Sequence, residues 1–585
     1  MKARRKMENA KMGCALALAA SFGMAAMAEV TLGTATSMER VFPRGGYVVK
    51  PAAECAVRLA RHEKEGFQLL VTSGDSDLRD VKVECSDLSR ERDWWAFWDA
   101  ATFKASNVAC DVVGYAWVTF PTSRYCMTTH YTVKSDAAPG YRQKSERCKD
   151  AWYPDPILDF LGDIEIRKGD VQSFWIRVRC PDDQKAGTYR GTLAVTGVAA
   201  AGSEVFRREL PFTVRVNDFA VPKASPLPLA VTFGPMAHYT NDSAVARAEA
   251  KRKAEDPEGP VKLVKGRIPE WGDFLADYYL TMDSLYTRTN LHWEVLAKLR
   301  DEGRLGCFNL GYWSYFKGGE KAEAEWRAST LPRLRRNYEK AKELGILDKA
   351  YIYGCDEVNT NFFENIRTCV NILKKEFPGV PISTTAYDHE FGVGTKLDVM
   401  DWFTPITPRF NKEKAAKSRA AGHQVWWYIC CGPGGTWANA FTQFPPIDLR
   451  ILMGPQTVRM RPDGFLYYEI SIWNSERPIT DGPFTDWVTR SFMTLNGDGC
   501  WTAVGPGGKP LSTLRLENFR DGLEDYAYAL LLEKKLAANP SAPWADEARK
   551  LLEVPKSVMN TMSDFNDDPA ALYAWRNAMA DLIER

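Results

Sequence analysis

The sequence predicts a multidomain chain, β then α/β: an N-terminal β-sandwich followed by a (β/α)8 TIM-like barrel with C-terminal helices. Three observations predict it. Short β-like runs separated by turn clusters fill the chain from Glu29 to about Val221, with no long amphipathic helix among them. A proline-rich linker follows, Val221-Pro222-Lys223-Ala224-Ser225-Pro226-Leu227-Pro228, and the hydrophobic periodicity changes after it. Beyond the linker strands and helices alternate, and no Gly-rich phosphate fingerprint follows the first strand, which favours a closed barrel over an open dinucleotide-binding sheet.

In the first part the strand-like runs are Gln68–Val71, Val81–Val83, Tyr115–Val118, Gln172–Val178, Gly191–Val195 and Glu209–Val216. After the linker, strands are expected at Leu229–Phe233, Gly306–Leu310, Ala350–Cys355, Ile382–Ala386, Met400–Thr404, Val425–Cys430 and Phe465–Ile472, with a weaker one at Cys500–Ala503. Helices are expected at Ile268–Thr287, Lys321–Leu344, Asn361–Lys375, Lys412–Ala420 and Ile447–Arg461, and then at Arg515–Lys535, Trp544–Leu552 and Pro569–Ile583. Glu517, Arg520 and Glu524 recur at i, i+3, i+7, the spacing of a salt-bridged helix face. The domains read as 1–28 leader, 29–222 sandwich, 223–535 barrel and 536–585 helices packed on the barrel.

The leader carries Lys2, Arg4, Arg5, Lys6 and Lys11, then the apolar run Met12–Met27 and the small-x-small site Ala26-Met27-Ala28, the pattern of a secretory signal. An exported protein, periplasmic or extracellular, is therefore expected. No other stretch approaches the ~20 apolar residues of a membrane span. The 76 basic and 75 acidic residues balance, so no whole-chain field draws the protein to nucleic acid or anionic lipid. The thirteen cysteines show no C-x-x-C and no His at ligand spacing, so neither a metal nor a cofactor is expected. Disulfide pairing and oligomeric state stay open.

Chemistry is expected at Lys349–Glu357, K-A-Y-I-Y-G-C-D-E, a strand that stops in two adjacent acids, Asp356 and Glu357. Barrel active sites lie at the C-terminal ends of the strands, where the pleat gives way to a loop and consecutive acids can line one cavity. The bland alternative is a solvated pair, or a cap on the following helix. Aromatic residues crowd the other strand ends: Tyr312 and Trp313, Tyr387 beside Asp388, Trp402, Tyr428, and Trp473 beside Asn474. Flat rings and a few polar groups around two acids suit a sugar, which needs stacking on C–H faces and hydrogen bonds to its hydroxyls. These residues are the expected substrate-binding set, and core packing is the competing use for about half of them. Trp94, Trp95 and Trp98 in the first domain could form a second sugar patch, or pack under a long loop.

Several longer motifs carry a family likeness. W-Y-I-C-C-G-P at Trp427–Pro433, A-N-A-F-T-Q-F-P-P-I-D-L-R-I-L at Ala438–Leu452, D-G-F-L-Y-Y at Asp463–Tyr468 and R-L-E-N-F-R-D-G-L-E-D-Y at Arg515–Tyr526 resemble glycoside hydrolase family 123 and the wider group sharing its catalytic domain. The segment F-W-I-R-V-R-C-P at Phe174–Pro181, with A-G-T-Y-R-G at Ala186–Gly191, is similar to that family's N-terminal domain. The resemblance implies an exo-acting β-N-acetylgalactosaminidase with Asp356 and Glu357 as its catalytic pair and a glycan or glycoconjugate as substrate. One departure bears on sugar specificity: the family commonly shows Pro after the pair, and here Val358-Asn359 follows.

Adjacent acids cannot easily flank an anomeric carbon from opposite sides, which disfavours inversion and a protein nucleophile. The remaining route is substrate-assisted. Glu357 would protonate the leaving oxygen and later activate water, while Asp356 would hold the 2-acetamido N–H and stabilise an oxazolinium intermediate. A hydrolase of the same domain group acting on another sugar, and a non-catalytic carbohydrate-binding surface protein, are the alternatives.

Overall fold

The computed structural model describes residues 30–92, 95, 97–119, 151–199, 204–236, 244–287, 289–492 and 495–585. The expected leader and Trp94 lie outside the described residues. The chain has a β-rich N-terminal region followed by an α/β C-terminal region.

Two sheets make up the first region. One runs β1 (Val30–Thr36), β3 (Lys64–Ser73), β10 (Val171–Arg179), β7 (Val108–Val118) and β21 (Phe484–Thr485), with β8 (Ala151–Leu158) also on β7. The other runs β2 (Cys55–Arg61), β12 (Glu204–Ala220), β11 (Gly187–Ala199), β4 (Leu78–Cys85) and β9 (Ile164–Ile166). In β4 the alternation of a half-buried strand runs from Val81: Val81 and Val83 are buried while Lys82 and Glu84 are exposed. In β10 both faces are covered, with Phe174, Ile176 and Val178 in the main core and Trp175 and Arg177 on the other side. That second face meets the helix Leu514–Ala538, where Arg177 pairs with Glu517 at 3.0 Å.

This junction holds a network of buried charge. Arg450 pairs with Asp525 at 2.8 Å and Glu65 at 3.0 Å, Arg520 with Asp521 at 2.6 Å and Glu517 at 2.7 Å, and Arg576 with Asp525 at 2.9 Å. Glu517 and Arg520 are therefore salt-bridged, as their spacing predicts, but the face they share is buried against the N-terminal sheets rather than solvated. Burial opposes ionisation of Glu517, yet Arg177 and Arg520 overcome it and hold its pKa down to about 2. Breaking one partner of such a network costs about 3–5 kcal/mol, because a charge is left buried without its counter-ion.

In the second region parallel ladders run β14 (Phe308–Trp313), β15 (Ala350–Gly354), β16 (Ile382–Thr384), β17 (Trp402–Phe403) and β18 (Gln424–Val425). The chain continues as β19 (Trp427–Ile429), which pairs with β20 (Phe465–Tyr467), and β20 pairs with β13 (Leu229–Val231). A parallel bridge, Thr232 to Asp283, adds one more segment beside β13, and Asp283 Oδ1 accepts the Asn309 amide of β14 at 2.8 Å. The parallel segments thus follow one another in a circuit, with helices between many of them.

The 283 segment corrects the sequence reading. A helix is expected over Ile268–Thr287, but it ends at Ala276, and Tyr279 takes a left-handed turn at φ 63° into the segment carrying Asp283. The weak strand expected at Cys500–Ala503 is instead Ala503–Val504, paired antiparallel with Pro510–Leu511. The helix expected over Ile447–Arg461 is interrupted by a π-helical stretch, Leu452–Gln456, containing Pro455, which has no amide to give to the ladder. Helices Ala244–Glu255 and Trp293–Asp301 were not anticipated.

Candidate active site

Strand β15 is buried along its whole length, with Tyr351 and Tyr353 facing the interior of the strand circuit and Ile352 the surrounding core. Its last residue must be glycine. A Cβ on Gly354 would lie 2.3 Å from the Trp313 carbonyl oxygen, so only glycine lets the two strands approach so closely here. The pleat then breaks, because Cys355 at φ 55° and Glu357 at φ 50° both adopt the left-handed conformation. Each such residue costs roughly 1–2 kcal/mol. Four hydrogen bonds hold the strained turn: Cys355 N to Trp313 O at 3.1 Å, Thr384 Oγ1 to Cys355 O at 3.0 Å, Glu357 N to Thr385 Oγ1 at 3.1 Å and Tyr387 N to Val358 O at 3.0 Å.

The turn brings both carboxylates into one cluster of hydroxyls. Asp356 Oδ1 accepts from Tyr353 at 2.6 Å and Thr385 at 2.7 Å, and Oδ2 accepts from Tyr286 at 3.0 Å. Glu357 Oε1 accepts from Tyr428 at 2.6 Å and Oε2 from Tyr387 at 2.9 Å. Asp356 is half-buried and Glu357 exposed, so the pair opens to solvent on the glutamate side. Neither acid caps the helix Phe363–Glu376. The surrounding phenols are held in their protonated, donating form. Burial first, and then the Asp356 charge, push Tyr353 well above its usual range; burial and Glu357 do the same to Tyr387. Burial, Cys430 and Glu357 raise Tyr428. Tyr312 belongs to the same group: its ring lies 5.6 Å from Tyr286 and 5.9 Å from Tyr353, and burial lifts its pKa to about 12.

Of the residues expected to bind substrate, Tyr312, Tyr387 and Tyr428 therefore gather at the acids. The others do not. Trp313 is 1% exposed and faces the outer core. Trp473 is fully buried between Trp271 and Phe233, its indole N–H donating to the Thr502 carbonyl at 3.0 Å. Trp402 stacks on Trp426 at 4.5 Å and lies 5.5 Å from Tyr351, two residues and so about 6.6 Å along the strand below Tyr353. It packs the interior beneath the site. Asn474 donates to the Arg490 carbonyl at 2.7 Å. Asp388, the acid beside Tyr387, is buried and closes its own loop, accepting from Thr395 at 2.6 Å and from the amides of Glu390 and Gly392.

Sequence reasoning missed Tyr286, Tyr353 and Thr385. Tyr353 could have been found by alternation, since it shares a strand face with the interior Tyr351. Tyr286 could not, because the helix was extended through it. Its placement depends on Asp283, which is buried, accepts from Tyr351 at 2.5 Å and from the Asn309 and Ser284 amides, and is pushed up to about 6 by burial. Asn309 completes the link, donating to the Ser284 and Leu285 carbonyls at 3.0 and 2.8 Å.

Two clefts of about 550 and 530 Å³ lie elsewhere, where the N-terminal sheets meet the C-terminal helices, lined respectively by Glu65 and Arg576 and by Lys64 and Glu524. Glu65 and Arg576 belong to the buried ion network, while Lys64 pairs with Asp277 at 2.9 Å. Trp95 and Trp98 are exposed, with ring centroids 6.0 Å apart, rather than packed under a loop. The ten described cysteines are free, and the Sγ atoms of Cys430 and Cys431 are 3.8 Å apart. Among the described residues no group of three or more His, Cys, Asp or Glu side chains could hold a metal ion, and no helix is long and apolar enough to cross a membrane.

An acid pair at the end of a parallel strand, set in tyrosines, is the equipment of a carbohydrate-active enzyme, and comparison with known proteins names the class. Residues 309–532 match the glycoside hydrolase 123 catalytic domain, and residues 58–197 the glycoside hydrolase 123 N-terminal domain. The chain belongs to glycoside hydrolase family 123 and is a glycosidase. A family 123 glycoside hydrolase from Clostridium perfringens, known from a structural analysis of glycolipid glycan hydrolysis, shares the fold at a TM-score of 0.62 and 14% identity, over 95% of this chain and 97% of that one. A Parabacteroides merdae β-glucuronidase aligns at a TM-score of 0.27 and 10% identity, over 79% of this chain and 53% of its own. No curated protein sequence matches the chain.

Proposed function

We propose that the protein is an exported glycoside hydrolase that releases terminal β-linked N-acetylhexosamine, with N-acetylgalactosamine the favoured sugar, by retaining, substrate-assisted catalysis. The circuit of parallel strands is read as the (β/α)8 barrel and the two N-terminal sheets as a sandwich. The observation that carries the reading is the adjacency of Asp356 and Glu357 on one strained turn, each fixed by tyrosine hydroxyls. Two carboxylates so close cannot sit on opposite faces of a sugar ring, whereas they suit a substrate that brings its own nucleophile. Glu357, exposed at the mouth, is the acid and then the base at the glycosidic oxygen. Asp356, deeper and engaged by three hydroxyls, holds the acetamido N–H and faces the positive charge that develops on the oxazolinium ring. The Clostridium relative's link to glycolipid glycans supports a glycoconjugate as natural substrate.

The test is a panel of chromogenic glycosides given to the purified protein. Hydrolysis confined to 2-acetamido sugars, with the β-anomer released first by NMR, is the expected result. Equal cleavage of plain galactosides or glucosides would remove the substrate-assisted mechanism, and no turnover of any glycoside would favour a binding protein.

A further inference from the structure

The acid pair is held from the neighbouring strand by one side chain that reaches both residues. Thr385 follows β16, and its Oγ1 donates to Asp356 Oδ1 at 2.7 Å while accepting the Glu357 amide at 3.1 Å. Tyr353 donates to the same Oδ1 at 2.6 Å, and its oxygen lies 2.9 Å from Thr385 Oγ1, so three oxygens close a triangle. A hydroxyl has one proton. With the Thr385 and Tyr353 protons both given to Oδ1, the two lone pairs of that oxygen are filled, and Thr385 is left an acceptor for the Glu357 N–H. Among the described residues Oδ2 receives only the Tyr286 hydroxyl, at 3.0 Å, and keeps a lone pair for a further donor.

We propose that Thr385 is a positioning residue, which orients Asp356 so that Oδ2 alone meets the substrate's acetamido N–H and which fixes the left-handed turn that aims Glu357. This inference rests on the substrate-assisted reading above. The flanking residues share the arrangement: Thr384 donates to the Cys355 carbonyl, and Tyr387 gives its amide to the Val358 carbonyl and its hydroxyl to Glu357. The segment 384–387 is thus a template laid along 355–358, with Thr385 as its one member bonded to both acids. Asp356 turned part-way about its last torsion would lose the paired donors, and a half-turn only exchanges two equivalent oxygens, so the two hydroxyls fix the plane of the carboxylate and with it the place of the oxygen left for the substrate.

The experiment compares wild type with Thr385→Val, which keeps the shape and removes the hydroxyl, Thr385→Ala, which removes it and needs no space, and Thr385→Ser, which keeps it. Readouts are kcat and KM on a chromogenic 2-acetamido glycoside, and affinity for a thiazoline analogue of the cyclised intermediate. Loss of one hydrogen bond to a charged group predicts kcat lower by about 10- to 100-fold in the Val and Ala variants, with a matching loss of thiazoline affinity and KM within about threefold. Thr385→Ser restores most of both. A role in folding alone would lower the active fraction and leave the thiazoline affinity of the folded enzyme unchanged. Unaltered thiazoline affinity in both hydroxyl-less variants, or a Ser variant as impaired as they are, overturns the inference and leaves the proposed function standing. A wild-type enzyme that ignores 2-acetamido glycosides overturns both.

Discussion

The Tyr428 hydroxyl, from β19, donates to Glu357 Oε1 at 2.6 Å across the mouth of the strand circuit. Glu357 itself is exposed, so this bond and the one from Tyr387 set where its carboxyl points. A side chain placed in this way can give a proton to a glycosidic oxygen. Glu357→Gln is therefore expected to keep the fold and to lose hydrolysis of substrates with poor leaving groups far more than of those with activated phenols, which hardly need protonation. Paired kcat/KM measurements on an alkyl and a nitrophenyl glycoside check it. Equal losses on both would take the acid role away from Glu357.

Trp473 should behave as core. Its indole fills the space between Trp271 and Phe233 and satisfies the Thr502 carbonyl. Trp473→Phe leaves a void and removes that donor, at a cost of about 1–3 kcal/mol of stability. The melting temperature should fall by a few degrees while kcat/KM stays within about twofold of wild type. A selective rise in KM with unchanged stability would return Trp473 to the substrate site.

How legible the site was depended on whether its determinants were local. The strand ending in Asp356 and Glu357 could be read because Tyr351, Ile352 and Tyr353 are strand formers and the helix after them is strongly patterned. The helix Lys412–Ala420 was read to the residue, and in the structure Asn411 caps it, its side chain accepting the Lys414 amide. Asp283 and Tyr286 were lost inside an apparent helix, since their segment joins the circuit through one bridge and one buried carboxylate, with no alternating pattern of its own. Trp313 and Trp473 were misplaced because an aromatic residue at a strand end faces the mouth or the outer core according to a half-turn of backbone, which sequence does not reveal. The Glu517 and Arg520 face could be read as salt-bridged, but not as buried, for a similar reason. Its ion pairs were correct, but its cover, the N-terminal β10, lies more than three hundred residues away in the chain.

Asp498 carries a pH dependence that can be measured apart from catalysis. It is fully buried, accepts from Tyr467 at 2.8 Å, and burial pushes its pKa up to about 7 against the lowering influence of Tyr467, Tyr468 and Arg515. In the unfolded chain the value is about 3.9. The folded state thus retains a proton that the unfolded state releases, so this contribution to stability is full below about pH 4 and is lost as pH rises towards 7. Asp498→Asn mimics the protonated group and should escape that loss. Its melting temperature relative to wild type should climb between pH 4 and pH 7 and level off above. A constant difference across that range would show Asp498 to be ionised in the fold throughout.

The sharpest expectation concerns Asp356→Asn, a change that preserves shape and leaves a hydrogen-bonding side chain in place. Three hydroxyls, from Tyr286, Tyr353 and Thr385, already donate to its two oxygens. An amide must place its single oxygen where two of them converge, at the Oδ1 position, and its NH2 at Oδ2. That sets a donor against the Tyr286 hydroxyl and against an incoming acetamido N–H, and it removes the negative charge opposite a developing oxazolinium cation. The combined loss should be on the order of 2–4 kcal/mol of transition-state stabilisation. It should fall on 2-acetamido substrates in kcat/KM, with the melting temperature little changed, and thiazoline affinity should drop with it. If the variant turns over N-acetylhexosaminides at nearly the wild-type rate, Asp356 does not face the reacting acetamido group. The nucleophile would then have to be sought elsewhere on the strand ends, and not at Asp388, whose carboxylate is already committed to its own loop.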